Sequence, residues 1–317
     1  MPTEYDAQIL KLRLPEQDSL KNEAEHCSVD PRKLATIGRA VGQQVRIARK
    51  DDPRFVALYT AKQANPPADS NDPGRSSVVR TGREGRVRLG TAGELEATVQ
   101  RTVVDPAPMP GEPIGVRFFE AAEDNGKQSY FIAIGPHGGS IEEHTDEQAR
   151  ETARALRAAG FSASLWFCNG YGDDVKGASD RWHITSTDIH PASFPGLQPL
   201  LSRRFCYGVA FHGFHRKSDE ADVYIGGRAS RSLKKAIERK LNDLGLPLKV
   251  KISTAADNPK FQGFSPDNII NRLAECGIHL EQSTEARVFN AKIAKAVVRV
   301  YQSGWKRFLC AWMRLFR

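Results

Sequence analysis

His137, Glu142 and His144 fall within eight positions of one another in the stretch IGPHGGSIEEHT, Ile134 to Thr145. Imidazole nitrogen and carboxylate oxygen are the ligand types that zinc takes in hydrolytic sites, where about three protein donors leave one position open. Gly138 and Gly139 let the backbone turn sharply enough to aim His137 and Glu142 at one point. One His and one Glu make an incomplete set, so a further ligand is expected elsewhere. The best placed is His212, which follows the apolar run Phe205 to Phe211 and precedes Gly213, as His137 precedes Gly138. Ligands collect at the carboxyl ends of strands in open α/β sheets. His144 and His215 are the local rivals, one close to a helix start and the other followed by Arg216 and Lys217.

A hydrolytic water also needs a carboxylate to take its proton. Glu281, near the end of the strand-like run IHLEQS (Ile278 to Ser283), is expected in that role. Asp105, Glu120 and Glu147 stand in polar, turn-like or helix-start contexts that account for them. The competing reading of Glu281 is an ion pair with a basic neighbour such as Arg287. On the preceding helix Asn268, Asn271 and Arg272 share a face, and an Arg there suits two-pronged capture of a carboxylate. The alternative is a surface Arg lying over its helix. His183, in WHITST (Trp182 to Thr187), is expected to contact substrate or support the site, against a structural reading in which Ser and Thr satisfy loop backbone.

Positioning such groups takes a sheet. From Pro113 onward, strand-like and helix-like runs alternate: strand 129–135, helix 146–159, strand 163–168, a strand-like WHITST, strands 205–211 and 222–226, helix 229–243, strand 248–253, helix 266–275, strand 277–282 and helix 285–302. This predicts an α/β fold with a mixed sheet flanked by helices. Residues 1–26 read as a polar lead-in. Residues 27–105 read as a small β-rich, barrel-like domain, with Val87 to Leu89 among its short strands. PAPMPGEP, 106–113, reads as the linker. Residues 114–302 form the site-bearing domain and 303–317 a basic amphipathic tail. From Phe289 to Arg317 there are seven Lys or Arg and no acid, which suits contact with an anionic membrane or packing on the body or on a second subunit. Arg75, Arg80, Arg83, Arg86 and Arg88 suit either a polyanion or a solvated face.

With 317 residues, 40% hydrophobic, the chain has ample material for one large core or two domains. No run of 18 apolar residues occurs and the first thirty positions hold no apolar segment, so neither a membrane span nor a signal peptide is expected and a cytoplasmic location is. The five cysteines lack CxxC spacing, and Cys168, Cys206 and Cys276 read as buried thiols. A formal charge of +8 suits an acidic partner: nucleic acid, anionic lipid or a polyanionic substrate.

Six short motifs carry a resemblance: HGGSIE at His137 to Glu142, WHITST, FHGF at Phe211 to Phe214, VYIGG at Val223 to Gly227, NIINRL from Asn268, and IHLEQS. In this order, across Pro113 to Tyr301, they resemble the phage and bacterial poly-γ-glutamate hydrolase family, which is similar in fold to zinc carboxypeptidases. The resemblance implies zinc held by His137, Glu142 and His212, with Glu281 as base. The spacing His-x-x-x-x-Glu departs from the His-x-x-Glu of ordinary carboxypeptidases. It further implies cleavage of γ-glutamyl amide bonds in a polymer with one free α-carboxylate per unit, which a basic surface would concentrate. Arg272, with Asn268 or Asn271, would hold such a carboxylate. Two other readings stand beside this one: a zinc peptidase or amidase acting on cell-wall peptides, and a metal-free module that binds nucleic acid or another polyanion. Without a leader, release by lysis would bring the protein to an extracellular polymer.

Overall fold

Short runs of β-branched and aromatic residues, punctuated by Gly and Pro, set most of the strands. The computed structural model describes residues 2–12, 23–63, 77–124, 129–218, 220–254 and 261–302. They divide into two compact units, Met1–Phe119 with Gly170–Pro195, and Glu120–Asn169 with Gly196–Arg317.

In the first unit, strands β1 (Glu4–Lys11), β2 (His26–Val29), β3 (Gln44–Arg49), β4 (Val56–Gln63), β5 (Val78–Thr81) and β6 (Leu95–Gln100) close a barrel in the order β1-β5-β2-β4-β3-β6. β1 runs parallel to β5 and β2 parallel to β4, while the other neighbours are antiparallel. Two-residue alternation turns Ala7 and Ile9, Val45 and Ile47, and Ala97 and Val99 inward to one core. Helix α1 (Pro31–Thr36) starts where the Asp30 carboxylate accepts from the Arg32 N–H, with Pro at the first helical position.

Three expectations change here. The lead-in of 1–26 contains β1 and the start of β2, so the barrel begins at Glu4. Polar residues at every other position of EYDAQILK hide a strand whose inward side is Tyr5, Ala7 and Ile9. Val87 to Leu89 is not a strand, because α2 (Arg83–Arg88) occupies that segment. Arg80, Arg86 and Arg88 form neither a polyanion surface nor a solvated face, since all three are buried. Arg86 donates to the Thr81 and Ala92 carbonyls. Arg88 donates to those of Asp180, Arg181 and His183 while its guanidinium lies over the Tyr59 ring. These arginines satisfy carbonyls at the end of β5, in the turn after α2 and around the end of α4 that would otherwise be buried unpaired.

A seven-stranded sheet carries the candidate site. β7 (Arg117–Glu123), β8 (Phe131–Gly139), β9 (Ala163–Tyr171), β10 (Phe205–Phe214), β11 (Val223–Gly226), β12 (Val250–Ile252) and β13 (Ala274–Ser283) lie in the order β12-β11-β13-β10-β8-β9-β7. β10 is parallel to both β8 and β13, and β11 is antiparallel to β13, so the sheet is mixed as expected. The helices are α3 (Thr145–Ala158), α4 (Ala178–Trp182, within the first unit), α5 (Gln198–Leu201), α6 (Arg231–Asn242), α7 (Ile269–Leu273), α8 (Thr284–Arg287) and α9 (Asn290–Tyr301). α3 buries Ala149, Ala153 and Leu156 against β8 and α9. α7 lies on a face that bears glycine at Gly208 and Gly277. A Cβ on Gly208 would come within 2.8 Å of Ile270 Cδ1, and one on Gly277 within 2.7 Å of Asn271 Oδ1. Residues of the same parity further along, His212 on β10 and His279 and Glu281 on β13, therefore share that face.

WHITST is no strand: Trp182 ends α4, and His183 begins a loop. Within the first unit, His183 Nδ1 pairs with Glu25 at 3.3 Å. Cys27, Cys168 and Cys276 are free, but Cys206 is disulfide-bonded, which corrects its reading as a thiol. No helix of the described residues is long and apolar enough to cross a membrane. The basic tail 303–317 lies outside the described residues.

Candidate metal centre

β8 and β10 each run on past the point expected from sequence, so His137 and His212 stand inside strands rather than beyond them. After β8 the chain reverses at Gly139, whose φ of +67° is costly for any residue with a Cβ. The Glu142 N–H then donates to the His137 carbonyl at 2.8 Å, closing the turn that brings the carboxylate back beneath the imidazole. His137 Nδ1 lies 3.1 Å from Glu142 Oε1 and 3.2 Å from His212 Nδ1, and His212 Nδ1 lies 3.6 Å from Glu142 Oε2. All three residues are buried. Donors about 2.0–2.1 Å from one ion at tetrahedral angles stand roughly 3.3 Å apart, so the three separations match a shared cation. A single proton satisfies one of these contacts at a time, whereas one divalent ion satisfies all of them.

Burial drives the His212 imidazole down to about 4, with His279 adding to the shift. Burial alone would raise the Glu142 carboxyl, but His137 and then His212 outweigh it and hold Glu142 well below the usual carboxylate range. At neutral pH the pair is therefore a neutral imidazole and a carboxylate, the forms that bind metal. In the metal-free protein His212 is expected to titrate near 4 by NMR, not near the ~6.5 of free imidazole. Because its folded value lies below the unfolded one, the stability it contributes is full above about 6.5 and is lost as pH falls through about 4.

Glu281 stands directly opposite His212 in the β10–β13 register. Its Oε1 is 2.8 Å from His279 Nε2, and the His279 ring lies against that of His212 with centroids 4.4 Å apart. Asn268 settles the tautomer. As N-cap of α7 its Oδ1 accepts from the Ile270 N–H, so its Nδ2 is the group facing His279 Nδ1, at a long 3.4 Å. Nδ1 is then the acceptor, and the proton sits on Nε2 and is donated to Glu281. Arg287, buried in α8, donates to the Glu143 carbonyl at 2.9 Å and to Thr284 Oγ1 at 3.2 Å. It presses so closely on Gly213 that a Cβ there would lie 2.7 Å from its Nε. Burial lowers its pKa, while Glu142, Glu143, Glu281 and Glu285 act to raise it.

Residues 117–309 match the family model for poly-gamma-glutamate hydrolase. The chain belongs to the poly-γ-glutamate hydrolase family. The SPbeta prophage-derived UPF0714 protein YoqZ of Bacillus subtilis (strain 168) is 30% identical over 157 residues, covering 49% of this chain and 50% of its own. The chain thus spans about half the length of this curated relative. Among solved structures, a bacteriophage poly-gamma-glutamate hydrolase is 22% identical with a TM-score of 0.44, over 60% of this chain and 91% of that one. A zinc-free structure named YNDL-apo is 20% identical with a TM-score of 0.44, over 59% and 91%.

Of the residues that the family resemblance singled out, His137, Glu142, His212 and Glu281 come together in the second unit. Arg272 does not join them. It is exposed before the first residue of β13, and Glu281 lies seven residues along that strand from Ala274, about 23 Å at ~3.3 Å per residue. Asn271 is spent on loop backbone, donating to the Gly263 and Ser265 carbonyls. Asn268 reaches Glu281 only through His279. His144 is half-exposed and pairs with Glu147, and His215 is exposed. His279 is the residue that sequence reasoning passed over. Its signal was present, since the alternation within IHLEQS puts residues 279 and 281 on one face.

Proposed function

We propose that the chain is a zinc-dependent hydrolase of the carboxypeptidase-like class that cuts γ-glutamyl amide bonds in poly-γ-glutamate. The observation that carries this is the convergence of His137, Glu142 and His212 donors at 3.1–3.6 Å, with Glu281 in the same row of the sheet as His212. The donor set fits zinc, being two imidazole nitrogens and a carboxylate. Bound there, zinc would supply Lewis-acid polarisation of the scissile carbonyl and a more acidic water.

The protein's own groups move the proton. His279 occupies Oε1 of Glu281, leaving Oε2 to accept a proton from the attacking water. Glu281 then returns that proton to the departing amine, acting first as base and then as acid. His279 and Asn268 are positioning residues in this scheme, acting through Glu281. The Gly213 N–H donates to Glu142 Oε2 at 2.9 Å, fixing the carboxylate that would hold the ion. Arg272 and Asn271 take no part. The net charge of +8 draws a polymer bearing one carboxylate per unit, and action from the cytoplasm after lysis belongs to the same reading. An end-group assay tests it: new amino groups should appear from poly-γ-glutamate and not from α-linked polyglutamate. Cleavage confined to cell-wall peptides would favour the amidase reading, and salt-sensitive DNA binding without cleavage the binding-module reading.

A further inference from the structure

On the hydrolase reading of the polymer's identity, we propose that the cleft between α6 and β12 is a second, non-catalytic site that grips the pendant carboxylates of the polyglutamate chain. The cleft has a volume of about 710 Å³ and is lined by Arg231, Lys234, Lys235, Lys251, Glu238 and Phe264 among others. Four cations thus face one carboxylate. Lys234 is the decisive member. It is only 4% exposed, and its Nζ sits 4.4 Å from the centroid of the Phe264 ring. Among the described residues no carboxylate pairs with it, and burial lowers its pKa. A buried ammonium without a counter-ion is costly to keep charged, and a bound anion removes that cost.

The remaining cations are spread along two elements, Arg231 and Lys235 on α6 and Lys251 on β12. This spacing suits a succession of carboxylates better than one compact anion. Phe264, 46% exposed, offers an apolar face to the methylenes of a γ-linked glutamate. The cleft also adjoins the Glu281 side of the sheet. Gly263 packs against His279, where a Cβ would come within 2.6 Å of the His279 Cβ, and the next residue, Phe264, packs against Lys234. A chain crossing the Gly263–Phe264 step passes from the scissile position to the cleft.

The test is direct binding, measured by calorimetry with poly-γ-glutamate in the Glu281→Gln background so that the polymer stays intact. Lys234→Met keeps the length and apolar stem of the side chain, and the half-buried Lys251→Gln provides a second variant should the first fold poorly. Lys240→Met is the control, since Lys240 pairs with Asp243 at 2.9 Å outside the cleft. Both cleft variants should bind the polymer at least about tenfold more weakly, with the control unchanged. Equal weakening in all three would mean diffuse charge attraction and overturn the site, as would no weakening in either cleft variant. Inorganic phosphate that displaces the polymer at matched charge would reduce the cleft to a single-anion site and overturn the proposal too. Selective loss of binding in a protein that cuts no poly-γ-glutamate would leave the site standing and remove the hydrolase reading. Cleavage without selective loss would do the reverse.

Discussion

Glu281→Gln is expected to lower turnover of poly-γ-glutamate by about 10³-fold, within the range for removal of a general base, while metal content stays at the wild-type level. Gln keeps the shape of the side chain and can still meet His279, whose Nε2 lies 2.8 Å from Oε1. It cannot take a proton from water. The three donors proposed to hold the ion, on β8, the turn after it and β10, are untouched by the change. Parallel loss of metal would instead mean that Glu281 is part of the ligand set. Retained turnover would remove Glu281 from the chemistry. Comparing kcat with KM sharpens the result, since loss of a group that acts only in the transition state lowers kcat and leaves KM nearly unchanged.

His137→Ala and His212→Ala are each expected to empty the site, from about one ion per chain to a small fraction of that, with activity lost in step. Each change removes one of three donors and leaves Glu142 buried with half of its compensation, because His137 and His212 jointly hold its charge. Two donors on one side of an ion do not enclose it. His144→Ala and His215→Ala should keep the metal, since both side chains are exposed away from the donor cluster. Metal loss that followed His144 or His215 would mean that the wrong histidines had been placed together. Elemental analysis of the five purified proteins reads out all of these outcomes.

Much of the sheet was legible because its signals are local. The helix expected over 146–159 is α3 at Thr145–Ala158, as its alanine and leucine spacing required. The strand expected over 205–211 exists and runs on to Phe214, so His212 belongs to it. The candidate site was legible for a related reason: His137, His212 and Glu281 are polar groups at or near the ends of apolar runs, where a core role does not explain them. What was missed depends on tertiary context. β1 reads as polar because only alternate residues face a small barrel core. Val87 and Leu89 alternate like a strand, yet the segment is α2, in which Arg86 turns inward to the nearby Thr81 carbonyl and Arg88 to the Arg181 carbonyl, distant in sequence. Arg272 suggested itself by its shared face with Asn268, but its short helix precedes β13 while Glu281 lies near that strand's other end.

The most direct test of the account is an end-group assay on poly-γ-glutamate with the wild-type protein as purified, after chelation, and after zinc is returned. The expected result is release of new amino groups by the purified protein, loss on chelation, and recovery with zinc but not in the Glu281→Gln protein. Cleavage that persists undiminished through exhaustive chelation, with no metal found on the protein, would contradict the metal-dependent account.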